Sequence, residues 1–486
     1  MNVLILSNGA PGYYRFFNAM ARHLAGQGHG VEVAVDCPYS RAANRLDALG
    51  APVHDFAAFF AGFDEDPARA LADYAYEPLN AALLSDFERA EVYGIGGARP
   101  EGYYRRLQAA LLRYFEHLFA DRRIDAVLYE NVSNAFAHFA WIVARRRGVA
   151  YCGLVGSRLP GRFAIVSDPL GEQALYAPIL ADIRAGRRAV DPAVRAWCRD
   201  YLDNLERIVP DYMKFNNLDN LDLAGRYVNR SKWDKLRLAW RHRGDDHVHA
   251  FQVGNPLRLS WRMVRRNLER KLRIGAIRRH YRDPVEGERF LLYPLHFHPE
   301  SSTSILAGTY LDEYEVIRNI AFSLPPGVML YVKDHVSAYG YPPRAFYRRL
   351  AALPNVRLIS PFADTKALIR AARAVITLTS TVGYEALLLG RRVFLFGSVF
   401  YQEHPDVVRI GNPAGLFDLL RRHLDAPTAA DARFNEDFVA AYYLGTFEGV
   451  LNFSLGDEAA AALAERVAPQ ILPRMAELAA EAKAGR

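Results

Sequence analysis

Three histidines and a lysine stand just beyond short apolar runs in the second half of this chain. His296 and His298 lie in Tyr293-Pro294-Leu295-His296-Phe297-His298-Pro299-Glu300, and Lys333 and His335 lie in Tyr331-Val332-Lys333-Asp334-His335. Two histidines two residues apart with Glu300 nearby are a fragment of a metal site, but no third ligand follows at metal spacing. Imidazoles equally donate to phosphate or sugar oxygens. On an extended chain Lys333 and His335 share one side, where together they would neutralise a diphosphate or support a leaving group. The plainer alternative is a surface Lys/Asp pair with an incidental histidine. A third stretch, Thr377-Leu378-Thr379-Ser380-Thr381-Val382-Gly383-Tyr384-Glu385, passes from an apolar run to hydroxyls, a glycine and an acid. Small residues at a helix start, here Ser380, Thr381 and Gly383, receive phosphate or ribose oxygens on backbone N–H groups. Glu385, expected in the first turn, would accept from ribose hydroxyls. The same residues also read as an ordinary N-cap with an acid complementing the helix dipole.

In the first half the candidate is Glu130, which ends a buried apolar run where a carboxylate without a role or partner is costly. Asn131, Ser133 and Asn134 follow it as neutral hydrogen-bonding groups suited to sugar hydroxyls. Glu130 is therefore the candidate catalytic carboxylate, as base or nucleophile; the competing reading is a capping system for the next helix. The turn containing Gly9, Gly12 and Tyr13 has neither GxGxxG nor GxxxxGK[ST], which counts against a dinucleotide site or a P-loop. Its glycines would instead let backbone approach a bound acceptor.

Positioning these loops requires strands that end at them. Asn2–Ser7 is a continuous apolar run, Tyr13–Ala25 has helical spacing, and Val31–Asp36 is a second strand ending in Asp, the opening of a Rossmann-like half. Residues 55–120 read as helical with a break at Gly94–Gly102. Ile124–Tyr129 and Val149–Val155 are further strands flanking a Phe136–Arg147 helix. From Phe290 strands and short helices alternate again: strands at Leu291–Tyr293, Val328–Val332, Val356–Ile359, Ala374–Leu378 and Val393–Phe396, with a helix at Gly383–Leu389. Such alternation specifies a parallel sheet. The predicted division is an N-terminal Rossmann-like domain over 1–170, a helical basic connector over 171–285, a second Rossmann-like domain over 286–412, and C-terminal helices over 413–486. The fold class is α/β, two Rossmann-like domains facing a central cleft with helical insertions. Ligands of such sheets bind beyond the carboxyl ends of the strands, where the candidate residues sit.

With 486 residues, half of them apolar and a quarter charged, the chain is long enough for two α/β domains. Its three cysteines, Cys37, Cys152 and Cys198, are scattered, which argues for a reducing compartment and against a disulfide framework. The first strand lacks the basic flank of a signal peptide, and no run approaches the length of a membrane span, so a cytoplasmic location is expected. The net charge of +7 is concentrated: Arg226–Arg282 holds 17 Lys/Arg against 4 acidic residues. Within it, Trp261, Val264, Leu268 and Leu272 fall at three- and four-residue spacing among cations. The stretch Trp261–Arg282 suits an anionic membrane surface or an acidic glycan, or else a helix packed on its own domain with a solvated basic face. No nucleic-acid motif accompanies the charge.

Those loops in that order resemble the capsular polysaccharide biosynthesis family, which includes capsule glycosyltransferases and Kdo transferases of GT-B architecture. The likeness is densest from Phe290 to Tyr401, in Tyr293–Thr303, Val332–His335, Pro354–Val356, Thr379–Gly390 and Phe396–Tyr401, and weaker over Asn2–Phe17 and Glu130–Asp168. It implies transfer of a sugar from a nucleotide-activated donor, held by 286–412, to a glycan or glycolipid acceptor held by 1–170. The implied donor contacts are His296, His298, Glu300, Lys333, His335, Ser380, Thr381, Gly383 and Glu385, with His335 on the donor phosphate. No metal and no cofactor beyond the nucleotide sugar are expected. The sequence departs from the family at Val336, where a Lys-x-His-Pro motif has proline, and at Ser380, where the family has glycine. The second half also resembles UDP-N-acetylglucosamine 2-epimerase but lacks its His-Arg-Arg-Glu-Asn form at His296–Glu300. An epimerase-like enzyme and a non-catalytic assembly protein with a degenerate donor site are the alternatives.

Overall fold

The computed structural model describes residues 1–209, 211, 230–245 and 254–485. Its strands are β1 (Asn2–Ser7), β2 (Gly30–Val35), β3 (Val53–Asp55), β4 (Ala126–Glu130), β5 (Ala150–Gly156), β6 (Arg162–Val166), β7 (Phe290–Pro294), β8 (Met329–Lys333), β9 (Val356–Ile359), β10 (Ala374–Thr377), β11 (Arg392–Leu395), β12 (Val407–Arg409) and β13 (Phe447–Glu448). The chain divides into two units. One comprises Met1–Pro169, Asp211–Val264 and Phe447–Arg486; the other comprises Leu170–Pro210 and Arg265–Thr446.

The first unit is built on one seven-stranded sheet in the order β13-β6-β5-β4-β1-β2-β3. β1 lies parallel between β2 and β4, with Val3 opposite Val31 on one side and Ala126 on the other. These runs are apolar on both faces because helices cover both. Val3, Leu4, Val127 and Leu128 are wholly buried, and so are Phe115 and Phe136 on the helices Tyr103–Asp121 and Ala135–Arg147. Beyond β5 the sheet turns antiparallel: β6 pairs back on β5, and the two-residue β13 pairs antiparallel to β6 with Phe447 opposite Phe163. The last helix, Asp457–Ala484, packs on the Tyr13–Gly26 helix and on β5, burying Leu463, Val467, Ile471 and Met475.

The second unit has a six-stranded sheet, β12-β11-β10-β7-β8-β9, with every pairing parallel. Its core contains Leu291, Tyr293, Leu330, Val332, Ile376 and Phe394. Both sheets share one winding. The first strand is followed by two strands on one side, and the chain then crosses to the other side of that first strand. This leaves a topological switch point between β1 and β4 in one sheet and between β7 and β10 in the other. At such a point adjacent loops diverge beyond the carboxyl ends and open a crevice for a ligand. Both units are Rossmann-like α/β sheets.

Of the basic segment, Arg226–Asn229 and residues 246–253 lie outside the described residues. Helices at Ala177–Arg184, Pro192–Asp203, Arg230–Arg241 and Pro256–Ile277 account for much of the rest of 170–285.

Candidate active site

At the second unit's switch point the loop after β7 meets the loop after β10. His296 spans the gap: its Nε2 lies 3.2 Å from the Thr377 hydroxyl and accepts from the Thr379 N–H at 3.3 Å. Its Nδ1 lies 2.8 Å from Glu313 Oε1, which also accepts from the His296 backbone N–H at 2.9 Å and from the Tyr293 hydroxyl at 3.1 Å. The other Glu313 oxygen is 3.6 Å from His298 Nε2. Burial alone would raise the Glu313 pKa, but its bonds to His296 and His298 outweigh that and hold it at about 2. Glu313 thus fixes His296 by hydrogen bonds and lies within ion-pair range of His298. The sequence reading missed it, because it begins the Glu313–Phe322 helix behind the cap residue Asp312, where an acid ordinarily faces solvent.

Lys333 ends β8, buried, with its ammonium donating to the Pro361 carbonyl at 2.9 Å; burial brings its pKa down to about 8. The strand stops there, so the expectation that Lys333 and His335 share a side of an extended chain does not hold. Instead the Asp334 carboxylate takes the His335 N–H at 2.7 Å, and His335 Nδ1 accepts from Ser337 N at 3.2 Å. Burial, with His296 and Lys333 nearby, lowers the His335 pKa to about 4, so it is neutral near pH 7. The turn still keeps His335 electrostatically coupled to His296, Lys333 and Glu313. Glu300 is exposed, and its carbonyl accepts from Thr303 and Ser304 to start a short helix.

After β10 the Thr381–Leu388 helix begins two residues earlier than predicted. Ser380 is its N-cap, its hydroxyl accepting from Val382 N at 3.2 Å. Thr377 in turn accepts from Ser380 N at 3.1 Å, and the Tyr401 hydroxyl donates to the Ser380 carbonyl at 2.6 Å. Glu385 therefore sits a full turn inside the helix, not in its first turn, half-buried and with its pKa raised by burial against the opposing charge of Lys366. Gly383 faces the Tyr401 ring so closely that a Cβ would lie 2.4 Å from its hydroxyl, so this glycine is demanded by packing.

At the first unit's switch point the loops after β1 and β4 meet in the same way. Asn8 donates to the Tyr129 hydroxyl at 2.7 Å and accepts from Ala10 N at 2.9 Å. Glu130 accepts from the Ser133 hydroxyl at 2.6 Å and from the hydroxyl of Tyr13. Burial dominates here, and Glu130 is pushed up to about 7 against those bonds and the nearby charge of Arg89. A carboxyl poised near neutrality is matched to proton transfer. Asn134 is spent locally: its side-chain oxygen caps the Ala135–Arg147 helix through Ala137 N at 2.9 Å. Asn131 turns its oxygen onto Val132 N at 2.8 Å. Gly12 has φ 88°, and a Cβ there would lie 2.7 Å from the Phe453 carbonyl. That glycine serves the close approach of the C-terminal segment, not the open acceptor face expected for it.

The Leu84–Tyr93 helix adds residues that the sequence reading passed over. Ser85, Asp86, Glu88 and Arg89 are all buried. The Ser85 hydroxyl donates to the Ser133 carbonyl at 2.8 Å, tying this helix to the Glu130 loop. Asp86, 3.7 Å from Arg89, is raised by burial to about 7 despite that cation. Polar residues at positions 85, 86, 88 and 89 read from sequence as a solvated face; only the fold shows them turned inward. Among the described residues no group of three or more His, Cys, Asp or Glu is arranged to hold a metal ion.

Residues 257–405 match the family described as capsule polysaccharide biosynthesis protein. No curated protein sequence matches the chain. Among solved structures, the beta Kdo 2,4 transferase KpsC of Thermosulfurimonas dismutans is 16% identical over 67% of this chain and 85% of its own, with a TM-score of 0.29. CalG4, the calicheamicin glycosyltransferase, is 15% identical over 97% and 98% of the two chains, TM-score 0.27. UDP-GlcNAc 2-epimerase from Neisseria meningitidis is 10% identical over 98% and 100%, TM-score 0.25. At such scores the fold rests on the strand order itself, whereas the matched segment contains the whole second switch point, from His296 to Glu385. Over that segment, residues 257–405, the chain is similar to the capsule polysaccharide biosynthesis family.

Proposed function

We propose that this protein is a glycosyltransferase of capsule or other surface polysaccharide assembly, taking a sugar from a nucleotide-activated donor and passing it to a glycan or glycolipid acceptor. The observation that carries this reading is the second switch point: two histidines beside one buried carboxylate, a buried lysine, a third histidine and a capped helix N-terminus converge at one sheet edge. His298, Lys333 and His335 would hold the donor phosphates, with His296 as the anchor of their loop. Ser380, as the helix cap, and Thr381 would line the phosphate site, and Glu385 would accept from the ribose. In the first unit Glu130 would take the proton of the acceptor hydroxyl as its oxygen forms the new bond to the sugar. The nucleotide departs with the electron pair of the breaking bond, its charge met by the second unit's donors. Tyr13 and Ser133 would position Glu130 and lie beside the acceptor. The activated donor belongs to the cytoplasm, so the enzyme would act there, at the inner face of the membrane.

Calorimetric titration of the purified chain with CMP, UDP, GDP and dTDP tests the donor site. One nucleotide should bind with a clear preference, and Glu385→Ala should weaken it by about tenfold. CMP preference would point to a Kdo- or sialic-acid-type donor, and UDP, GDP or dTDP preference to a hexose. A folded chain that binds none of them would sink the proposal.

A further inference from the structure

The Pro256–Ile277 helix is turned inside out. The side that its Arg265–Ile277 part lays on the second unit carries a row of arginines. Arg266 stacks over Tyr341 at 4.4 Å and donates to the His298 carbonyl at 3.1 Å. Arg270 lies over Tyr339 and Tyr341, at 5.0 and 4.4 Å, and donates to the Tyr339 carbonyl at 2.8 Å. Arg273 donates to the Tyr341 carbonyl at 2.9 Å. Ring faces and carbonyls thus satisfy cations that would otherwise be costly to cover.

Leu259 and Ile277 are buried, but the opposite side carries an apolar row of its own. Trp261 is 66% exposed, Val264 57%, Leu268 60% and Leu272 67%. Spacings of three, four and four place them in a single stripe along three turns. Exposed Lys271 borders the stripe on one side, and Arg258 and Arg265 border it on the other. Glu269 is the helix's one acid, and Arg265 and Arg273 hold it. A contiguous apolar stripe left facing water marks a surface that something covers.

We infer that this stripe docks the protein on an anionic lipid surface, the helix lying flat with Trp261, Val264, Leu268 and Leu272 in the boundary between headgroups and acyl chains. The charge pattern selects this occupant. A second copy would set a cation-rimmed stripe against another cation-rimmed stripe, whereas anionic headgroups meet the cations on both borders while the acyl boundary takes the apolar row. An exposed tryptophan at such a border is at home at headgroup depth. The inference stands on the helix alone and does not require the transferase reading.

Vesicle flotation of the full chain tests it. The protein should float with vesicles of phosphatidylcholine mixed with phosphatidylglycerol, remain unbound with phosphatidylcholine alone, and be released from the mixed vesicles by high salt. The double variant Leu268→Asp/Leu272→Asp replaces exposed side chains, so its thermal melt and nucleotide affinity should be unchanged, while its vesicle affinity falls about tenfold or more. Wild-type protein that ignores anionic vesicles, or a double variant that floats as well as wild type, would overturn the inference. So would a wild-type dimer in sedimentation analysis that the same double variant dissociates, because the stripe would then be a contact between copies.

Discussion

Glu130, half-buried at the end of β4, and Glu313, buried at the start of a helix, each stand near a switch point, and they end at opposite protonation behaviour. Burial raises both. What differs is the donor set. Glu130 receives the neutral hydroxyls of Ser133 and Tyr13 and feels Arg89 only through space, so it settles at about 7. Glu313 receives the Tyr293 hydroxyl too, but adds two imidazoles and a backbone N–H, and is held at about 2. Hydroxyl partners leave a buried carboxyl free to exchange a proton; imidazole partners turn it into a fixed anion that organises a loop. The same residue type is thus left titrating near neutrality in one unit and held as an anion in the other by its neighbours.

The widest separation should come from activity. Glu130→Gln should cut turnover by about a hundredfold or more while leaving nucleotide affinity intact, measured by steady-state kinetics beside calorimetry. Retained turnover would remove Glu130 from the chemistry and collapse the contrast. Stability should divide the two the other way. Glu313→Gln strips both histidines of their shared anion and should cost on the order of 3 kcal/mol in a denaturant melt at neutral pH. It should also loosen nucleotide binding, whereas Glu130→Gln should melt no earlier than wild type.

The pH dependence of those melts sharpens the point. The folded pKa of Glu130 lies above the ordinary 4.5, so its contribution turns against folding as pH climbs from about 4.5 through 7; the Gln variant should gain relative to wild type across that window. The folded pKa of Glu313 lies below 4.5, so its stabilisation is complete above 4.5 and is lost as pH falls toward 2. Equal pH slopes in the two variants would show that the donor sets do not matter. The smallest effect should come from Ser133→Ala, which removes a bond to the charged form. It should move the rising limb of the pH–rate profile upward by about one unit.

Much of this frame was legible because parallel strands buried on both faces are written as plain apolar runs, and the loops of interest follow them directly. Glu130, His296, Lys333 and Ser380 were found that way. Glu313 was not, because its value depends on a loop 17 residues earlier folding back onto the start of its helix. The buried Ser85, Asp86, Glu88 and Arg89 were missed because helical spacing states which residues share a face and leaves open where that face points. The inverted Pro256–Ile277 helix is the same lesson in reverse: its apolar spacing was plain, yet its arginines took the inward side. β13 was invisible because two residues have no period. The position of Glu385 shifted because Ser380, a good cap, starts the helix earlier than the glycine suggested.

The return of Phe447–Arg486 to the first unit has a consequence for how the chain is made. The ribosome finishes the β1–β6 strands hundreds of residues before the segment that pairs with β6 and covers the Tyr13–Gly26 helix. During that interval the edge of β6 and the floor for Phe453 stand open, while the second unit, closed by residue 446, can already be complete. The first part translated is therefore the last to be sealed. An expression fragment cut after Pro169 would lack that strand and helix; splicing Phe447–Arg486 onto its end would supply them.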